Sequence, residues 1–186
     1  MIPHRPKLGE KIFFFISGAI ISSPFPILVN SIVSYALMIN LPRFSATLIS
    51  AALIAPVLEE FAKAYPLFFR HGETEKSIMI LGFLTGLGFG IAEFLFYVYI
   101  LKVPALIRVP TLLFHATNTM IIAHGIGQNK SFRFYLFAVW LHFLNNFSAL
   151  YGNAWFVGGI FATIVSYAFA WYFYRKSTEQ TIEHWT

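Results

Sequence analysis

Nine polar side chains lie in stretches of this sequence that are otherwise apolar, and these residues are the ones that could do chemistry. They are Glu59, Glu60, Lys63, Glu93, His115, His124, His142, Asn145 and Asn146. An ionisable group at bilayer depth costs about 2.5–3.5 kcal/mol on insertion scales, so such groups normally face a bundle interior and mark function. Three of the nine are carboxylates and only one is a lysine. At least one Glu must therefore be protonated, hydrated, or bound to a histidine or a metal.

The adjacent acids Glu59 and Glu60 precede Lys63 by four and three residues. On a helix, the ammonium group of Lys63 can reach either carboxylate. A single Glu–Lys pair would fit a salt bridge that holds two helices in register. The second Glu points about 100° around the same helix, and one lysine cannot neutralise both. This pattern favours a functional site.

Glu93 follows a run of glycines with a period of four residues, at Gly82, Gly86 and Gly90. At about 100° per residue, these glycines and Glu93 fall on one stripe of a helix. Small residues on such a stripe let a neighbouring helix approach closely. The spacing therefore predicts that Glu93 lies at a close helix–helix contact, where a site role is favoured over packing alone.

Two histidines on different predicted helices complete the set. His142 and Asn146 are four residues apart and face one direction, whereas His115 belongs to the preceding helix. One buried histidine is usually a packing residue, but two of them together with a pair of carboxylates favour a shared site. His124 lies about 180° around the helix from His115, so we expect it at an interface outside that site.

Glu, His and Asn side chains suffice for the hydrolysis of an amide by water. A carboxylate takes a proton from water, a histidine orients that water or protonates the leaving amine, and an amide donates to the oxyanion. The candidate site residues are Glu59, Glu60, Glu93, His115, His142 and Asn146. The same set could hold zinc through His115, His142 and Glu59, with one position open. No other cofactor is indicated. The chain has no Cys and no Asp, which excludes a thiolate nucleophile and an aspartyl dyad.

The elements that must position these residues are membrane helices. Of the 186 residues, 58% are apolar and 11% are charged, whereas soluble domains carry about 25% charged residues. The composition predicts an all-α, polytopic integral membrane bundle, since a crossing helix needs about 20 apolar residues. The first of six helices should be kinked or split at Pro24 and Pro26, because proline interrupts helix hydrogen bonding. The predicted spans are Lys11–Ile39, Ser45–Phe69, Ser77–Leu101, Leu106–Gly125, Phe134–Leu150 and Ala154–Tyr174.

The basic residues predict the orientation. With six spans, the two tails and two of the loops share one side, and this side carries nine Lys and Arg residues against three on the other. The excess places both termini in the cytoplasm of a cell membrane. The net charge of +5 then matches the anionic lipid surface. Short loops provide no folded basic face, so no nucleic-acid partner is expected.

The ordered motifs resemble those of PrsW-type intramembrane proteases. The resemblance is carried by Glu59-Glu60-x-x-Lys63, then Gly-Phe-Gly-Ile-Ala-Glu93, then His115, then His142-x-x-x-Asn146, on successive predicted helices. That family belongs to the superfamily that also contains CAAX prenyl proteases and the abortive-infection, bacteriocin-processing membrane proteins. CAAX-type members usually carry Glu-Glu-x-x-x-Arg, whereas this chain has Ala64 at the sixth position. Phe94 also stands where PrsW-like sequences usually have Asn.

This resemblance implies one membrane-embedded protease domain over residues 1–186, with core motifs in 55–146 and a tail at 175–186. Glu59 and Glu60 would supply the base, His115 and His142 would be their partners, and Asn146 would lie near the oxyanion. The site would open to the cytoplasmic half of the membrane, and the substrates would be membrane-anchored or membrane-spanning proteins in the lipid bilayer. No particular oligomeric state is indicated.

Three alternatives remain open from the sequence. A CAAX-type prenyl-protein endopeptidase would use the same motifs. A scaffold or chaperone without catalytic activity could use the same fold to hold another membrane protein. A proton-coupled transporter also needs buried Glu and His residues, but the six spans show no repeated half of the kind that transporters often have.

Overall fold

Six helices account for nearly all of the fold in a computed structural model of the chain. The structure describes residues 5–69, 74–151, 154–179 and 182, and no strand occurs among them. The helices are α1 (Leu8–Asn40), α2 (Arg43–Phe69), α3 (Glu75–Ile100), α4 (Ala105–Gly127), α5 (Ser131–Ala149) and α6 (Ala154–Lys176). This confirms the predicted all-α membrane bundle.

Five of the six helices, all but α5, are long and apolar enough to cross a membrane. The helix α5 has 19 residues, and His142, Asn145 and Asn146 lower its mean hydropathy. The predicted span Phe134–Leu150 lies in α5 and is the one predicted span that is not among these five helices. The protein is an integral membrane protein, and α5 carries candidate site residues.

Proline follows a π-helical stretch in both α1 and α2. The stretch Ser17–Ser22 ends just before Pro24, and a second one, Leu48–Ile54, ends just before Pro56. Proline has no N–H to donate and its ring crowds the carbonyl group four residues earlier, so the helix widens locally. The first helix is bent, which confirms the predicted kink at Pro24 and Pro26. In α2, Pro56 lies one turn before Glu59 and Glu60.

The helix α3 lies between α1 and α4, and glycine lets both neighbours come close. A Cβ atom on Gly88 would fall on the carbonyl group of Phe15 in α1. A Cβ atom on Gly86 would fall on the carbonyl group of His115 in α4. Close approach of this kind requires residues without a side chain. The glycine stripe therefore sets the distance between Glu93 on α3 and His115 on α4.

The two ends of the bundle are called the basic end and the distal end. The basic end contains the starts of α1, α3 and α5 and the ends of α2, α4 and α6. The distal end contains the opposite ends of these helices. At the basic end, the carboxylate of Glu75 accepts hydrogen bonds from the backbone N–H and the hydroxyl of Thr178, at 2.8 and 3.1 Å. Ile182 packs on the core nearby, so this part of the tail is attached to the start of α3.

Replacing Gly86 should separate α3 from α4. We expect Gly86→Val to destabilise the protein by about 1–3 kcal/mol, the usual cost of overpacking, because the new side chain meets the backbone of α4. Thermal melting in detergent, followed by circular dichroism, measures the effect. Gly9→Val is the matched control, since a Cβ at Gly9 meets nothing within 4 Å. Equal melting temperatures for the two variants would contradict the role of the stripe.

Candidate active site

Four helices bring the predicted acids and histidines to one place. Glu59 and Glu60 come from α2, Glu93 from α3, His115 from α4 and His142 from α5. The two imidazole rings lie 5.2 Å apart between centroids, in an edge-to-face arrangement. The convergence expected from the motifs is therefore present in the structure.

Glu60 is the acceptor at the centre of this cluster. One of its oxygens, Oε1, accepts a hydrogen bond from Lys63 Nζ at 2.7 Å and lies 2.7 Å from His142 Nδ1. Glu60 and Lys63 are completely buried. A carboxylate paired with an ammonium group is ionised and can only accept, so His142 Nδ1 carries the hydrogen. The other ring nitrogen of His142, Nε2, then presents a lone pair.

His115 is held from both sides. Its Nδ1 lies 3.0 Å from Lys63 Nζ, and its Nε2 lies 2.8 Å from Glu93 Oε2. An ammonium group can only donate, so Nδ1 accepts and Nε2 carries the hydrogen that Glu93 accepts. The rings of Phe89 and Phe114 pack against the imidazole. Hydrogen bonds and packing together determine both the orientation and the tautomer of His115.

Arg108 joins the site, although the sequence did not predict it as a site residue. Its Nη2 donates to Glu93 Oε2 at 2.8 Å, and its guanidinium lies 3.9 Å from the centre of the Tyr97 ring. Arg108 lies inside α4, seven residues before His115. A separation of seven residues places two side chains on one helix face, and this was the signal available in the sequence.

The cluster carries one carboxylate more than it has cations. Lys63 pairs with Glu60 and Arg108 pairs with Glu93, which leaves Glu59. Oxygen Oε2 of Glu59 is buried, has no hydrogen-bond partner in the described part of the chain, and lies 3.6 Å from His142 Nε2. A buried carboxylate oxygen without a partner is costly, so it requires a proton, a water molecule or a cation. Oxygen Oε2 of Glu60 is also buried without a partner, but Glu60 is paired with Lys63. Glu59 is therefore the carboxylate of this site without a paired cation.

Glu59, His115 and His142 are grouped so that they could hold a metal ion. Each offers one ligand atom, and these atoms lie within 4.8 Å of one another. Two imidazoles and a carboxylate are a common donor set for catalytic zinc. The hydrogen bond from His142 Nδ1 to Glu60 resembles the carboxylate contacts that orient metal-binding histidines elsewhere. The unpartnered oxygen of Glu59 could also bind a cation. The chemistry of these three residues therefore fits a bound metal ion.

Asn146 faces α2, as its spacing from His142 predicts, but it bonds to backbone. Its Nδ2 donates to the carbonyl group of Ala51 at 2.9 Å, and Asn145 donates to its Oδ1 at 3.1 Å. Ala51 belongs to the π-helical stretch of α2. Asn146 thus ties α5 to α2 two turns before Glu59. Its oxyanion role stays a prediction.

His124 lies apart from the cluster, near the basic end. Its ring stacks on Phe173 at 4.5 Å between centroids and meets Phe134 edge to face. Neither contact involves the acids or the two other histidines of the cluster. The position of His124 agrees with the expected interface outside the site.

The cluster lies near the middle of the bundle. Glu60 is nine residues from the basic end of α2, or about 14 Å, and His142 is eleven residues from the basic end of α5, or about 17 Å. Glu93 is only seven residues from the distal end of α3, or about 10 Å. The site therefore extends from the centre towards the distal end, where Arg108 lies.

Comparison with known proteins gives one match. The family model described as PrsW family intramembrane metalloprotease matches residues 10–174, which is most of the chain. Searches of curated proteins and of solved structures gave no match.

Removing the cation shared by Glu60 and His115 should destabilise the protein strongly. We expect Lys63→Met to cost about 3–5 kcal/mol, because it leaves a buried carboxylate without its counter-ion. The double variant Lys63→Met/Glu60→Gln should recover part of that loss, since both charges are gone. Unfolding in detergent gives the free energy of unfolding of the wild type, the single variant and the double variant. The substitution Lys130→Met, at an exposed lysine, is the control. A Lys63→Met protein as stable as Lys130→Met would contradict the buried pair.

Proposed function

Since the chain belongs to the PrsW family of intramembrane metalloproteases, we propose that it is an endopeptidase that cleaves membrane-anchored or membrane-spanning proteins at the Glu59 cluster. The observation that carries this proposal is the unpartnered oxygen of Glu59 beside the free lone pair of His142 Nε2. Both are acceptors, and they face each other inside a buried site. A water molecule between them would donate one hydrogen to each.

In the proposed reaction, Glu59 takes a proton from the attacking water. The attack on the peptide carbonyl carbon needs a base within hydrogen-bond reach of that water, and a positioned carboxylate contributes typically 10²–10⁴-fold. Glu60 is less suited to this role, although its Oε2 is also unpartnered, because Glu60 is completely buried and ion-paired with Lys63, whereas Glu59 is partly exposed. The proton is then passed to the leaving amine, either from Glu59 or through His142 Nε2.

The remaining groups of the cluster act by positioning. Glu60 holds His142 through Nδ1, so that Nε2 faces Glu59. Arg108 holds Glu93, which in turn orients His115. Lys63 holds Glu60 and His115 together from the middle. A network of this kind keeps reacting groups aligned without reorganisation at the moment of reaction.

A metal ion defines a second version of this proposal, in which Glu59 would be a ligand and not the base. Glu59, His115 and His142 would hold it, and a bound divalent ion such as zinc would supply a Lewis acid that polarises the peptide carbonyl group. His115 is engaged by Lys63 and Glu93 as described, so holding an ion would require one of these contacts to be exchanged. Glu60 would continue to orient His142 in that state.

The substrate class follows from where the site lies. The cluster is about 10–17 Å from the helix ends by residue count, so a peptide bond must be brought to it within the bilayer. Glu59 and Glu93 keep 15% and 16% of their side-chain surface exposed, whereas Glu60 and Lys63 keep none. These partly exposed carboxylates mark the side on which a membrane-embedded peptide would meet the site.

Neutralising Glu59 should abolish hydrolysis while the fold is kept. We expect Glu59→Gln to lower kcat by about 10²–10⁴-fold, because the amide keeps the shape but is not a base. Cleavage of a panel of single-span substrates by purified protein in liposomes measures it, and melting curves report the fold. Glu10→Gln, at the start of α1, is the control. A Glu59→Gln protein that cleaves like the wild type would refute the assignment and favour a scaffold role.

The metal-dependent version has its own test. We expect the purified protein to bind about one zinc ion per chain, measured by elemental analysis after gel filtration, and to lose activity in a chelator. His142→Ala and Glu59→Gln should lose the bound ion, while Asn146→Ala, which changes no donor, should keep it. Full activity in chelator, without bound metal, would rule out a metal-dependent mechanism and leave the carboxylate alone as the base.

A further inference from the structure

A small cavity lies between α4, α5 and α6 on the distal side of the two histidines. Its volume is about 40 Å³, enough for two or three water molecules. The lining residues are Leu106, Ile107, Pro110, Thr111, Asn145, Gly159, Ile160 and Thr163. None of them belongs to the acidic cluster, and the roles derived above do not use them.

The cavity contains several hydrogen-bond acceptors within a largely apolar lining. Pro110 has no N–H, so the carbonyl group of Leu106, four residues earlier, lacks its helical donor. The hydroxyls of Thr111 and Thr163 donate to the carbonyls of Arg108 and Gly159 and keep their lone pairs. Both threonines are more than nine-tenths buried. These acceptors can each take a hydrogen bond from water, the smallest donor available.

The polarity of this cavity distinguishes it from three grooves on the surface of the bundle. The groove between α2 and α5, of about 530 Å³, is lined by aliphatic and aromatic side chains alone. The groove between α1 and α2 and the groove beside α6 contain one small hydroxyl residue each, Ser22 and Thr117. Apolar grooves of this kind suit lipid chains, whereas a pocket with several polar groups holds water.

The cavity lies one helical turn from each histidine. Thr111 precedes His115 by four residues on α4, and Asn145 follows His142 by three residues on α5. These separations are about 6 and 4.5 Å along the helix axes. Because α4 and α5 run in opposite directions, both steps lead towards the distal end. Two lining residues of the cavity thus lie one helical turn from the two imidazoles, both towards the distal end.

We propose that this cavity is a water site that opens at the distal end and supplies the water for hydrolysis to Glu59 and His142. The supply role rests on the proposed function, while the presence of water in the cavity does not. Water would enter past Leu106 and Ile107, which are 84% and 38% exposed at the start of α4. It would then be held by Thr111, Thr163 and the carbonyl group of Leu106, one turn from the site.

The absence of Cys from the chain makes a direct test possible. Thr163→Cys places a thiol of similar size in the cavity, and Ile164→Cys places one on the adjacent residue, which is 60% exposed on the outer surface of the bundle. Silver ion is the probe, because it is small, stays in water and reacts with thiolate, which forms only where water reaches. At each time point the protein is denatured and the thiol that has not reacted with silver is alkylated. Intact mass spectrometry then measures the alkylated fraction, and its decrease with time gives the rate of reaction with silver.

We expect Thr163→Cys to react at least about tenfold faster than Ile164→Cys in sealed liposomes. The fraction that reacts with silver added outside should equal that of Lys102→Cys, at the distal end, and differ from that of Lys130→Cys, at the basic end. A rate for Thr163→Cys no greater than for Ile164→Cys would refute the water site. If the fraction of Thr163→Cys that reacts with outside silver equals that of Lys130→Cys, the distal opening is refuted.

The supply role is tested separately by kinetics. Thr163→Leu, which fills the cavity, should lower kcat about tenfold and leave KM unchanged, since water and not substrate is lost. Thr163→Val keeps the shape without the hydroxyl and covers the case in which Thr163→Leu does not fold. Wild-type kcat in both would refute the supply role. The silver experiment in the Glu59→Gln background is independent of hydrolysis, so failure of the proposed function and failure of the water site are distinguishable.

Discussion

The buried charge of the cluster is the constraint on which the rest of this structure depends. Three carboxylates lie in an apolar bundle with two cations, Lys63 and Arg108. Each unpaired charge at this depth costs several kcal/mol, so a protein would not keep one without a use for it. The ion pairs hold Glu60 and Glu93 in place, and their hydrogen bonds to the two histidines determine both tautomers. The remaining charge falls on Glu59, which has no paired cation and whose Oε2 is buried without a hydrogen-bond partner.

Backbone irregularities make the convergence possible. Proline introduces a π-helical stretch into α2 one turn before Glu59, and Asn146 on α5 bonds to the carbonyl group of Ala51 within this stretch. Glycine lets the backbones of α3 and α4 approach at Gly86, beside His115. Regular, evenly spaced helices would hold side chains from four helices farther apart. The same residues that would weaken a soluble helix therefore serve here to bring the site together.

Hydrolysis inside a bilayer also requires water, and the distribution of polar groups bears on how it arrives. The most exposed members of the cluster are Glu59, Glu93 and Arg108, on α2, α3 and α4, whereas the polar cavity lies on the other side of the histidines, towards α6. Substrate and water would then reach the imidazoles from different directions. Such a separation keeps the lipid-facing side apolar enough to admit a peptide segment while water stays on a narrow path.

Much of this protein could be read from the sequence alone. Composition and the lengths of the apolar stretches determined an all-α membrane protein with six helices, because water and lipid sort apolar residues regardless of partner. The four-residue period at Gly82, Gly86 and Gly90, and the Glu59, Glu60, His115 and His142 motifs, indicated which faces meet. Tertiary structure decided which groups pair. By spacing, Lys63 can reach either Glu59 or Glu60, and in the structure it bonds to Glu60, on the side where His115 and His142 approach. Arg108 falls inside the predicted span, but its ion pair with Glu93 on α3 appears only in the tertiary structure. A hydrogen bond between two helices requires the right rotation of each helix about its axis and the right position along that axis. The spacing of residues in the sequence does not specify either quantity.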